Sequence, residues 1–197
     1  MITRDFFERA PLVCARQLIG AELIWGECSG IIVETEAYDT VGDAASHTFF
    51  RPSSRAFVER HGPGTAYVYL NYGMHWMLNV LVKGPRRQGF VLFRALEPVK
   101  GIAAMAGRRG LDDGRRLCAG PGRLTQALGI DGAWHGRDLC TDPDHAFQPR
   151  LGRPKLVADG RIGISVAAEL PWRFTLAGSR YVSVRPRNAP TDKKRPE

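Results

Sequence analysis

The chain has 197 residues and is 44% hydrophobic, so a single domain that buries its own core is expected. Its apolar runs are too short for the roughly 18 residues that read as a membrane span. Net charge is +8, and only Lys83, Lys100, Lys155, Lys193 and Lys194 among the 28 basic residues are lysine; arginine's planar fork suits phosphate, so nucleic acid is a candidate partner, set against a basic protein that binds nothing.

In chain order, the opening MITRDFFERAPL lacks a basic-then-apolar leader pattern, and an intracellular location is expected (cytoplasm or nucleoid in a bacterium, nucleus in a eukaryote). Asp5–Leu18 has near-helical apolar spacing, with Pro11 an objection to one continuous helix. Ala21–Trp25, Ile31–Tyr38, Ala66–Leu70, His75–Val82 and Phe90–Leu96 read as strands. Gly42–Arg60 reads as loop-rich, Val99–Arg108 as a short helix, and Arg123–Leu128 as a helix entered through Gly120-Pro121-Gly122. Asp142–Leu156, with three prolines, reads as an irregular connection, and Arg161–Ala167 and Trp172–Val184 as late strands. The irregular succession favours α+β over a doubly wound sheet. Residues 187–197 read as a polar, disordered tail to a domain over 1–186. Cys14, Cys28, Cys118 and Cys140 are far apart with no C-x-x-C, so buried thiols are expected rather than a zinc site.

Four stretches carry chemistry. In YVYLNYGMHWMLN, a turn near Gly73 sets Tyr69 opposite about Met77, with Asn79 a diagonal neighbour, and leaves Tyr72 at the tip. A tyrosine exposed there could wedge into a base stack; the plainer reading is a set of half-buried strand residues. In IIVETEAYDTVGDAASH, Glu34, Glu36 and Tyr38 share one strand face. A partly buried carboxylate beside a phenol and His47 could take a proton from water, or the face could simply be solvated. Arg94 follows four apolar residues in FVLFRALEP and, if buried, needs an anionic partner such as Glu97. In LCAGPGRLTQAL, the free N–H groups of a helix start and Arg123 suit a phosphate.

The runs IVETEAY, DAASH, PGTAYVYLNYGMHWMLN, LFRALEP and LCAGPGRLTQALGI, in this order across roughly Phe6 to Val184, resemble the alkyladenine (3-methyladenine) DNA glycosylase family. The resemblance implies one mixed α+β domain with a curved, largely antiparallel sheet, flanking helices and a protruding β-hairpin. It implies no metal or organic cofactor, and a monomer acting on double-stranded DNA that holds a damaged purine. By resemblance, Glu36 is the general base, and Arg94 and the backbone carbonyl of Ile162 help hold the attacking water. Tyr38 and Tyr69 sandwich the flipped base, with His47 on the opposite side of the pocket or hydrogen-bonding the nucleotide, Asn79 excludes normal guanine, and Tyr72 fills the gap in the duplex. Arg123, in the first turn of the helix opened by Gly120-Pro121-Gly122, is expected to contact DNA. The pair His75-Trp76 is bulkier than the resemblance leads one to expect. A non-catalytic DNA-damage-binding module is the rival reading; it shares the charge and the hairpin but has no need of Glu36.

Overall fold

The computed structural model describes residues 1–187. Pro11 divides the opening segment: α1 (Arg4–Phe7) ends before it, and α2 (Pro11–Leu18) begins on it, where a missing N–H is harmless. Phe7, Cys14, Ala15 and Leu18 go into the core. Strands β1 (Glu22–Trp25) and β2 (Cys28–Asp39) follow. The stretch read as loop-rich holds two helices, α3 (His47–Phe50) and α4 (Pro52–Arg60). The buried face of α4 is Ser54, Phe57 and Val58, too short and too polar a stripe to declare a helical period.

The hairpin β3 (Ala66–Asn71) and β4 (His75–Lys83) leads into β5 (Gln88–Lys100). Left-handed Gly101 separates β5 from α5 (Ile102–Arg109), which therefore begins later than the sequence suggests; α6 (Pro121–Leu128) comes next. The supposedly irregular 142–156 connection contains β6 (His145–Gln148) and runs into β7 (Leu156–Asp159). The strand expected over 161–167 does not form; that stretch is a series of bends held by side chains. The last described strand is β8 (Arg173–Leu176), and 177–184 continues as turns. From 188 onward the proposed tail lies outside the described residues.

Among the described residues the strands form one open antiparallel sheet, in the order β3-β4-β5-β2-β1-β6, with β8 joining β2 to β7. With the flanking helices this is the α+β architecture expected. β2 organises it: one edge pairs with β5, and the other is shared by β1 at Cys28–Ile31 and β8 at Glu34–Glu36. One face packs on α2, where the Thr35 hydroxyl donates to the Ala15 carbonyl at 2.9 Å. On the other face Glu36, Leu92, Asn79 and Tyr67 lie in one cross-strand row. Among the described residues no helix is long and apolar enough to cross a membrane.

Candidate active site

The β2–β5 ladder is interrupted at the site. Its pairing steps from Thr35–Phe93 to Glu34–Ala95, which leaves Arg94 unpaired in a bulge. Bulges re-aim side chains, and here Arg94 turns onto the Glu36 face. Its Nε donates to Glu34 Oε1 at 3.2 Å, and its Nη1 lies 3.4 Å from Glu36 Oε1. Arg94 therefore bridges the two glutamates of β2 and does not pair with Glu97. Burial works against its charge, but the Glu36 and Glu34 carboxylates outweigh it and hold the guanidinium above its ordinary range.

Glu36 has no solvent exposure. Oε1 accepts the Ile162 N–H at 2.7 Å, and Oε2 accepts the Tyr38 hydroxyl at 2.8 Å. Oε2 retains lone-pair capacity for a further donor. Burial pushes the carboxyl above the usual glutamate range; Arg94, the Ile162 N–H and the Tyr38 hydroxyl pull it back without cancelling the rise, and Glu34 adds to it. Ile162 contacts Glu36 through its amide N–H, a bond to the carboxylate itself that the sequence did not anticipate; the expected contact of its carbonyl is a separate one, made to the attacking water.

The sequence did not single out Glu34 as an anchor. It is fully buried and accepts from Arg173 Nε at 2.7 Å, from the Ser183 N–H at 2.6 Å and from the Ser183 hydroxyl at 2.8 Å, besides Arg94. Arg173 and Ser183 come from 139 and 149 residues away in the chain, a separation no local pattern encodes.

Above Glu36 opens a cavity of about 780 Å³. Tyr38, Arg94 and Ile162 line it, while Glu36 lies just beneath this floor. Tyr69, His47 and Asn79 form further walls. The Tyr38 phenol is raised well above its ordinary range by burial and by Glu36, and burial pushes Tyr69 up to about 12, so both rings stay neutral. The His47 ring lies 4.4 Å from the Tyr69 ring, and its Nδ1 shares a 3.0 Å hydrogen bond with the Tyr67 hydroxyl, which also bonds Ser54 Oγ at 2.8 Å. Burial, helped by the Arg51 cation, lowers His47 to about 4. Asn79 is buried and donates Nδ2–H to the Tyr67 carbonyl at 3.0 Å, which fixes its amide. Tyr67 itself is stacked on Phe90 and belongs to the packed interior.

At the mouth, Tyr69 faces Met77 and Tyr67 faces Asn79, the register the sequence implied. The Met74 N–H closes the turn on the Asn71 carbonyl at 3.1 Å. Tyr72 sits at φ 51° beside Gly73 at φ 68°, with 82% of its surface exposed. A non-glycine residue in this region is strained, and strain held at an exposed tip points to a role outside folding. Arg123 and Arg109 also line the cavity. The bulky His75-Trp76 pair is accommodated by two glycines: a Cβ on Gly122 would meet the His75 side chain at 2.9 Å, and one on Gly132 would meet the Trp76 ring at 2.8 Å.

The arrangement is a neutral, aromatic-walled slot over a buried carboxylate paired with a cation. The nine residues singled out from the sequence all converge here, eight on the cavity lining and Glu36 below it. The family model for methylpurine-DNA glycosylase matches residues 5–180. A protein of Rhodopseudomonas palustris (strain HaA2) named 3-methyladenine DNA glycosylase is 48% identical over 93% of this chain and 90% of its own length. A like-named protein of Nitrosospira multiformis is 45% identical over 90% and 91%. The chain belongs to the methylpurine-DNA glycosylase family, whose activity is that of hydrolases of N-glycosyl bonds.

Proposed function

We propose that this protein draws an alkylated or deaminated purine out of duplex DNA into the 780 Å³ cavity and hydrolyses its N-glycosidic bond with a water activated by Glu36. The observation that carries this reading is the Glu36 carboxylate, buried under the cavity floor and held by Arg94, Tyr38 and the Ile162 amide. A carboxylate hidden from solvent at the base of a slot, its affinity for a proton raised by burial, is suited to taking a proton from one bound water.

In this mechanism the flipped purine stacks between Tyr38 and Tyr69. The water oxygen bonds to C1′ as its proton passes to Glu36. The C1′–N bond breaks, and its electron pair leaves with the purine. A cationic base such as 3-methyladenine departs neutral, whereas hypoxanthine needs a proton from elsewhere. The carboxylate also stabilises the cation-like sugar. Asn79, its amide fixed on Tyr67, stands where the exocyclic amine of normal guanine would go. Tyr72 fills the space the purine leaves, and Arg123 and Arg109 meet phosphate. We place the enzyme as a monomer acting on intracellular genomic DNA.

Among the described residues no lysine lines the cavity, so no amine is placed to form a Schiff base and the reaction stops at an abasic site. The test is incubation with duplexes containing 3-methyladenine, 7-methylguanine, hypoxanthine or ethenoadenine. Free base should appear, strands should break only after alkali, and borohydride should trap no adduct. Tight lesion binding without base release would favour the non-catalytic module.

A further inference from the structure

Between β7 and β8 the chain has no strand pairing over 160–171, yet this is the stretch that delivers the Ile162 amide to Glu36. What fastens it is the preceding residue. The Arg161 side chain is fully buried and forms a two-pronged pair with the equally buried Asp43, Nη1 to Oδ2 at 2.6 Å and Nη2 to Oδ1 at 2.7 Å. Nη1 also donates to the Ala37 carbonyl at 3.0 Å, and Nη2 to the Ala167 carbonyl at 3.3 Å. Ala167 is held at φ 50°, a left-handed conformation that an unfastened loop would relax.

The same guanidinium lies 4.6 Å from the centre of the Tyr38 ring and 5.2 Å from that of Trp172. Tyr38 lines the cavity and Arg161 does not, so Arg161 braces that wall from behind. Asp43 in turn accepts the Asp39 and Ala45 N–H groups, each at 3.1 Å, which fixes the loop leading to His47. Because Asp43 matches its charge, Arg161 acts through placement more than through net field. A buried pair of this kind is weak support for stability and is better attested where it fixes one arrangement.

We propose that Arg161, locked on Asp43, is a positioning residue for hydrolysis: it sets the Ile162 amide on Glu36 and the Tyr38 ring against the base, and so couples the two walls of the slot to the carboxylate. The proposal rests on Glu36 being the general base. The titratable and charged groups around Glu36 are Glu34 and Tyr38 on its own strand, Arg94 on β5 and Tyr69 on β3, with Arg173 on β8 reaching it only through Glu34. None of these is altered by the test.

The experiment is the single-turnover excision rate across pH, at saturating enzyme, for Arg161→Lys and for the charge-neutral pair Asp43→Asn/Arg161→Gln. The second variant leaves no lone buried charge and guards against misfolding. Lysine cannot reproduce the planar two-pronged contact. A loosened Ile162 amide withdraws a donor that favours the ionised carboxylate. The acidic limb should therefore move to higher pH by about half a unit to one unit, and the plateau should fall roughly ten- to a hundredfold, with lesion affinity changed far less. A limb superimposed on that of the unaltered protein in a folded variant overturns the proposal, whatever the plateau does, since general loosening would lower the rate without moving it. Failure of the general-base reading looks different: Glu36→Gln would then remain active in the same assay.

Discussion

Replacing Tyr72 by glycine separates what the hairpin tip does for folding from what it does on DNA. In the free protein the ring is 82% exposed, so little packing is lost. Glycine removes left-handed strain of about 1 kcal/mol, and its extra freedom in the unfolded chain offsets about the same amount. Stability should therefore shift by less than about 1 kcal/mol. Inserted into a duplex, a tyrosine buries about 150–200 Å², an upper bound of about 4–5 kcal/mol at roughly 25 cal/mol per Å². Ordering the side chain and parting the bases subtract from that. About 1–3 kcal/mol should remain, or roughly five- to 150-fold in affinity. Fluorescence anisotropy in a Glu36→Gln background, with ethenoadenine duplex against undamaged duplex, reads this directly. Lesion binding within twofold of the parent, or a loss of stability that matches the loss of affinity, would refute the reasoning.

Three further outcomes follow from the same geometry. Glu34→Gln leaves the buried Arg173 and Arg94 short of their shared anion and should cost about 2–4 kcal/mol in urea denaturation; an unchanged midpoint would show that Glu34 is not the anchor. His47, lowered to about 4, should show no imidazole titration by NMR from pH 8 down to 5. Because the unfolded chain takes up that proton first, its contribution to stability is present above about 6.5 and is lost as pH falls towards 4; an NMR midpoint near 6.5 would contradict the burial argument. Asn79→Ala should release guanine from undamaged DNA while altering lesion excision less, as read by chromatography of free bases; no guanine release would remove its role in exclusion.

The parts of the molecule legible in the sequence are those with local patterns. The five central strands carry β-branched or aromatic runs, and the period of two placed Glu34, Glu36 and Tyr38 on one face and set the register of the Tyr69–Met77 hairpin. The residue roles came largely from resemblance. What stayed hidden has physical causes. α4 buries only three residues, so it shows no period. The bulge that turns Arg94 onto Glu36 depends on how two strands pair, and neither strand reveals it alone, which is why Glu97 looked as good a partner. The 161–167 stretch looks like a strand by composition, but side chains hold its backbone in place of strand pairing: Glu36 takes the Ile162 N–H, and Arg161 takes the Ala167 carbonyl. Arg173 and Ser183, which donate to Glu34, and Arg161, which donates to Asp43, lie more than a hundred residues away from them; these contacts are properties of the assembled sheet.

The most direct measurement is base release by Glu36→Gln under single-turnover conditions, with anisotropy on the same duplex to report binding. Glutamine keeps the size of the side chain and an acceptor for the Ile162 amide but cannot take a proton from water. The expected result is affinity for lesion DNA within a few-fold of the parent and a rate lower by roughly a hundredfold or more. Excision at an undiminished rate would mean that another group activates the water, and the account of the buried carboxylate would fail.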